Sequence, residues 1–251
     1  MSVASQKTRA TSSGFGETVK IVVQALLLAL IVRTFLFQPF NIPSGSMKAT
    51  LLVGDYLFVS KYSYGYSRYS FPFGLGFFDG RVWAAEPERG DVAVFKLPRD
   101  GQTDYIKRVI GLPGDKIQMI DGILNINGKP VERERVDDYV ETTPDGQTVS
   151  VERYKETLPN GVSYLALDLD PNGFEDNTPV YEVPPNHYFM MGDNRDNSTD
   201  SRVLSAVGYV PFENFVGRAE IIFFSVEEGA AAWEFWKWPW TVRSDRIFQL
   251  L

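Results

Sequence analysis

Cysteine is absent from the sequence and histidine occurs once, as His187. Zinc-finger and metal-cluster spacings are thereby excluded, and no metal or other cofactor is expected. With no cysteine, the redox clue to compartment is missing as well. A basic excess is also lacking: 25 Lys and Arg stand against 32 Asp and Glu, a net charge of -7, so there is no footprint for a phosphate backbone and no nucleic-acid partner is expected. Apolar runs of membrane length are limited to one. What is present is a hydrophobic fraction of 44% over 251 residues, the composition of one sizeable globular domain with an anchor.

The anchor lies near the start. Residues 1–20 are polar and carry Lys7, Arg9 and Lys20 against Glu17 alone, which reads as a cytoplasmic tail. From Ile21 the chain is almost wholly apolar to Val32 and continues to Gln38-Pro39, where proline stops a helix. Lys20 to Gln38 would span roughly 27 Å, enough for a hydrocarbon core of about 30 Å if both ends snorkel. The run is hydrophobic all round rather than striped, which disfavours a buried soluble helix. A cleavable signal peptide competes, with small Ser44 and Ser46 in the processing positions, but bulky Phe40 and Ile42 fill the gap before them. An uncleaved transmembrane segment over 21–39 is expected, with the preceding basic residues holding the N-terminus in the cytoplasm and the remainder outside a bacterial inner membrane.

Beyond the anchor, short β-prone runs are closed by Gly or Pro: Tyr56 to Val59, Val92 to Leu97, Tyr105 to Ile110 and Lys116 to Ile120. Asp121-Gly122 is a hairpin signal. The pattern predicts a mainly β protein, an antiparallel sheet or barrel-like catalytic core over 40–128 and 186–226. Residues 62–80 read as an ordered aromatic loop. Residues 129–185 are charged and turn-rich, with Pro144-Asp145-Gly146 among their turns, and read as an inserted subdomain or excursion of no legible function. The segment 227–251 carries Trp233, Trp236, Trp238 and Trp240 beside Lys237, which suits either a membrane interface or packing over the domain.

A serine hydrolase of the usual kind needs a histidine base, and His187 opens an apparent strand, a structural setting. Lysine can serve only if neutral: at a pKa of about 10.4 roughly 1 in 2,500 is neutral at pH 7, whereas a pKa near 8 gives about one in ten. Strand alternation groups Tyr105, Lys107 and Val109 on one face, a plausible desolvating wall. By the residues alone, Lys107 reads equally as an edge-strand surface charge.

Four blocks then carry a resemblance. Pro43-Ser44-Gly45-Ser46-Met47 with Thr50 to Asp55, Gly90-Asp91-Val92, Tyr105 to Asp115, and Gly192 to Ser198 with Asp200-Ser201-Arg202 together resemble bacterial type I signal peptidases, the Ser/Lys dyad leader-peptidase family. Ala49 departs from the proline common there. The resemblance implies that Ser46 is the nucleophile and Lys107 its general base, with Ser198 orienting the lysine and Ser44 donating to the oxyanion. It implies a buried polar scaffold of Arg108, Asp193, Asp200 and Arg202. It also implies shallow apolar pockets from Phe40, Ile42, Pro43, Met47, Leu51, Tyr105 and Ile106. The expected activity is a membrane-anchored serine endopeptidase removing signal peptides from exported preproteins at Ala-X-Ala-like sites. Partners implied are preprotein signal peptides, the phospholipid membrane and, transiently, export machinery. Two other readings remain: a membrane-anchored β-domain that only binds peptides, and a self-cleaving Ser/Lys peptidase.

Overall fold

The computed structural model describes residues 14–71, 79–142 and 146–251. Residues 1–13 of the tail, 72–78 of the aromatic loop and Pro144-Asp145 of one expected turn lie outside them.

Helix α1 (Gly14–Phe35) has 22 residues and is long and apolar enough to cross a membrane, about 33 Å at 1.5 Å per residue. Leu26, Leu28 and Ile31 are all more than half exposed, and Thr34 alone is buried. No apolar stripe faces the protein, so this helix is not a core helix. It begins earlier than the expected 21–39 span and ends sooner, because Phe37 already pairs in a strand. Pro39 lies within that strand rather than at a helix end. An edge position tolerates it, since proline has no N–H to donate to a ladder.

The strands are β1 (Phe37–Asn41), β2 (Asp55–Ser60), β3 (Val92–Lys96), β4 (Asp104–Gly111), β5 (Lys116–Ile120), β6 (Ile123–Ile126), β7 (Lys129–Pro130), β8 (Glu132–Arg135), β9 (Tyr139–Thr142), β10 (Thr148–Thr157), β11 (Ser163–Asp168), β12 (Tyr181–Glu182), β13 (His187–Met191), β14 (Val210–Pro211) and β15 (Phe215–Ser225). All their pairings are antiparallel. The largest sheet has the order β1-β2-β15-β3-β4-β13-β14. In β2 the alternation is clean: Leu57 and Val59 are fully buried, Tyr56 and Phe58 only partly. Long β15 joins β2 to β3, and its register shifts bend the sheet. Gly217 lets β15 approach β2, since a Cβ there would stand 2.3 Å from Ser60 O.

A second sheet, β12-β5-β6-β7, packs Ile117, Met119, Leu124 and Ile126 against Ile110 and Phe189 of the first. Its β5–β6 hairpin turns at Asp121 and Gly122, both at positive φ, the primed turn that the Asp-Gly pair favours. A third sheet joins β8, β9 and β11 around β10, all from the stretch expected to be an excursion. Residues 129–185 do not form a closed unit, because β7 and β12 belong to the second sheet.

Candidate active site

Ser46 sits in the short 3-10 turn Gly45–Met47 that follows extended Ser44. The turn is held from below by Met47 and Leu51, both fully buried with Ile42 in one core cluster. It is held from the side by Asn194, whose N–H donates to Ser46 O at 3.1 Å and whose Nδ2 donates to Gly45 O at 3.0 Å. Ser44 remains exposed, with its Oγ 3.4 Å from Ser46 Oγ.

Lys107 reaches this turn from β4. Its Nζ lies 2.7 Å from Ser46 Oγ and 3.0 Å from Ile106 O. The side chain is 4% exposed, beside the Tyr105 ring at 5.3 Å. Burial pushes its amine down from 10.5 to about 8, against the upward pull of Asp200 and Asp193. A lysine that loses its proton near pH 8 at hydrogen-bond distance from a hydroxyl can accept that hydroxyl's proton.

Ser198 Oγ is buried and has no hydrogen-bond partner of ordinary geometry. Of the influences that hold the Asp200 carboxyl low against its burial, led by the Arg202 charge, that of Ser198 is the weakest. Neither of the two Lys107 Nζ bonds goes to Ser198. Gly192 brings the two serine segments together: a Cβ on it would stand 2.2 Å from Ser198 Oγ and 2.6 Å from Ser46 O.

Under the dyad lies a set of buried ion pairs. Arg108 grips Asp193 with two bonds, 2.9 and 2.6 Å, and donates to Gly90 O at 2.7 Å. Arg202 grips Asp200 at 2.9 Å through Nε and again through Nη2, and reaches Arg195 O at 2.5 Å. Thr50 Oγ1 donates to Asp193 Oδ2 at 2.5 Å, tying the Ser46 segment to the same network. The third pair was invisible in the sequence. Arg195 binds Glu156 of β10 at 3.0 and 2.6 Å and Tyr164 of β11 at 2.9 Å, all of them buried. Lys48, two residues past Ser46, pairs with Glu141 of β9. The excursion thus contributes acceptors to the site, although no local pattern in 129–185 marks Glu156 or Glu141 apart from their neighbours.

A cavity of about 380 Å³ opens beside Ser46 and Lys107, walled by Pro43, Ser44, Tyr105, Ile106, Asn197 and Thr199 among others. Of the residues expected to form pockets, Pro43, Tyr105 and Ile106 line it. Ile42, Met47 and Leu51 belong to the core beneath, and Phe40 packs against that core. Asn197 and Thr199 are wall residues to which the sequence assigned no role. His187 lies outside this cleft and donates from Nδ1 to Pro185 O at 2.8 Å.

Comparison with known proteins gives the family. The family model for signal peptidase, peptidase S26, matches residues 15–224. The chain is 50% identical over 210 residues to signal peptidase I of Rickettsia typhi, covering 80% of this chain and 77% of that one. It is 48% identical over 210 residues, with the same coverage, to the signal peptidase I of Rickettsia conorii. A solved signal peptidase I from Enterococcus faecalis V583 is 30% identical, covers 53% of this chain and 97% of its own, and superposes with a TM-score of 0.32. With a family model spanning nearly all of the described β domain and relatives half identical over four-fifths of the chain, this protein belongs to the signal peptidase family, the S26 serine endopeptidases.

Proposed function

We propose that the protein is a membrane-anchored endopeptidase that removes N-terminal signal peptides from exported preproteins, with Ser46 as nucleophile and Lys107 as general base. The observation that carries this reading is the 2.7 Å contact between Lys107 Nζ and Ser46 Oγ, made by an amine whose pKa burial lowers to about 8. Lowering a lysine that far costs about 3 kcal/mol, and at Lys107 the amine so lowered is the one in contact with a serine hydroxyl.

Neutral Lys107 takes the Ser46 proton as Oγ attacks the scissile carbonyl, then returns it to the departing amine of the mature protein. Exposed Ser44, on the cleft wall, donates to the oxyanion, and half-buried Ser198 keeps the role of orienting the lysine, although its Oγ does not bond to Nζ in this structure. The cleft walls formed by Pro43, Tyr105 and Ile106 favour small side chains at the positions before the cut. Helix α1 spans the bilayer with its N-terminus cytoplasmic, so that the cleft faces the outer side, where signal peptides emerge. Residues 40–128 and 186–226 form the catalytic core, and 129–185 buttress it through Glu156 and Glu141. Purified wild-type protein should cleave a preprotein in detergent, whereas Ser46→Ala and Lys107→Ala should each lose cleavage and keep the wild-type unfolding midpoint. Retained turnover in Lys107→Ala would overturn the assignment.

A further inference from the structure

A second cavity, of about 510 Å³, lies where α1 gives way to the β domain, and the proposed chemistry makes no use of it. Arg33 of the last helical turn, Gln38 of β1, Lys61 just after β2, Tyr69 and Lys96 of β3 line it together with Asp104. Three cations thus face one carboxylate, and that carboxylate is already taken: Asp104 Oδ1 lies 2.8 Å from Lys96 Nζ.

Lys61 is the unusual member. It is 3% exposed, and among the described residues its Nζ donates only to Ser70 O, at 2.5 Å, which leaves two of the three ammonium hydrogens without an acceptor there. Neither Lys61 nor Arg33 has a carboxylate partner among those residues. Burial first, and then the Arg33 charge, push the Lys61 amine down to about 8. A buried, unpaired cation beside two others is costly unless an anion joins it. The position of the cavity supplies a candidate: the end of a membrane-length apolar helix is the depth at which lipid phosphates lie.

We propose that Arg33, Lys61 and Lys96 form a binding site for the phosphodiester of a membrane phospholipid headgroup, held at the outer end of α1. The lipid phosphate accepts from the free Lys61 hydrogens and from the Arg33 guanidinium. Its acyl chains run along the exposed apolar surface of α1. Asp104 also lines the cleft beside Ser46, so the bound headgroup lies next to the path of the substrate. The lipid source rests on the reading of α1 as a membrane span.

The test uses the full chain in dodecyl maltoside, titrated calorimetrically with short-chain dihexanoyl phosphatidylglycerol, and in parallel with inorganic phosphate and a neutral short-chain diacylglycerol. Saturable one-site binding of the phospholipid is expected, weakened about tenfold or more in Lys61→Met and in Arg33→Gln. Arg33 is exposed, so its variant reports on the site even if Lys61→Met fails to fold. Wild-type affinity in Arg33→Gln and in any folded Lys61→Met overturns the site. Equally tight binding of inorganic phosphate overturns the lipid source, and equal binding of the diacylglycerol overturns phosphate recognition. Flotation of the full chain on neutral phosphatidylcholine vesicles separates the two readings. Failure to float removes the membrane span and the lipid assignment with it, whereas flotation with unweakened variants removes the site alone.

Discussion

Lys107 and Lys61 are both buried lysines lowered to about 8, and their surroundings separate their roles. Lys107 touches a serine hydroxyl in an open cleft, while Lys61 touches a backbone carbonyl beside other cations. Strand alternation placed Tyr105, Lys107 and Val109 on a common face, and Tyr105 and Val109 do belong to one core cluster. What alternation could not supply was the distance to Ser46, 61 residues away in the chain; the resemblance supplied that pairing and the structure its geometry. Gly192 and Glu156 escaped notice for different reasons. Gly192 stood in a recognised block, but its function is a close approach that only coordinates reveal. A Gly192→Ala variant should lose at least about tenfold in preprotein cleavage, because the new methyl displaces Ser198 or the Ser46 carbonyl, and misplacements of that size near reacting groups are expensive. Single-turnover rates on folded protein would measure it. Glu156 lies 39 residues from Arg195 in a stretch with no distinguishing pattern. Glu156→Gln leaves the Arg195 charge buried without its counterion and should cost about 3–5 kcal/mol in denaturant unfolding. Adding Arg195→Met should restore part of that loss.

At the scale of elements, local chemistry was the most legible where it was self-contained. The Asp121-Gly122 turn and its flanking strands could be read directly, because a two-residue hairpin is specified by its own residues. The helix end could not, since it depends on the pairing of Phe37 with Ser60 across the sheet. The third sheet showed in the sequence only as short β-like pieces between turns, because β10 is mostly exposed or half-buried along its length and its buried Glu156 pairs with the distant Arg195. The second sheet carries its own apolar core, centred on fully buried Leu124 with Ile117 and Phe189. Leu124→Ala should therefore destabilise the protein by about 2–5 kcal/mol, read from the shift of the unfolding midpoint, with cleavage by the remaining folded fraction unchanged. An equal loss of specific activity would mean that this sheet is coupled to the dyad more directly than its position behind β13 implies.

Over the whole molecule, the turn after β1, strand β4 and the loop after β13 bring Ser46 and Lys107 together in one cleft. The buried ion pairs Arg108–Asp193 and Arg195–Glu156 hold the last polar loop against β4 and β10, and Arg202–Asp200 lies within that loop. Burial leaves Lys107 where its charged form is disfavoured, against the upward pull of Asp200 and Asp193, and this environment sets the expected pH dependence. In the proposed mechanism the active form carries neutral Lys107: with a pKa of about 8, about one molecule in ten would be competent at pH 7, half near pH 8, and nearly all above pH 9. The measurement that bears most directly on the account is kcat/KM for a preprotein across pH 6–9, with Ser46→Ala as the blank. With Lys107 as the base, kcat/KM should rise about tenfold from pH 6 to 7 and about fivefold from pH 7 to 8, and level off toward pH 9. A profile flat from pH 6 to 9 would contradict a lysine base.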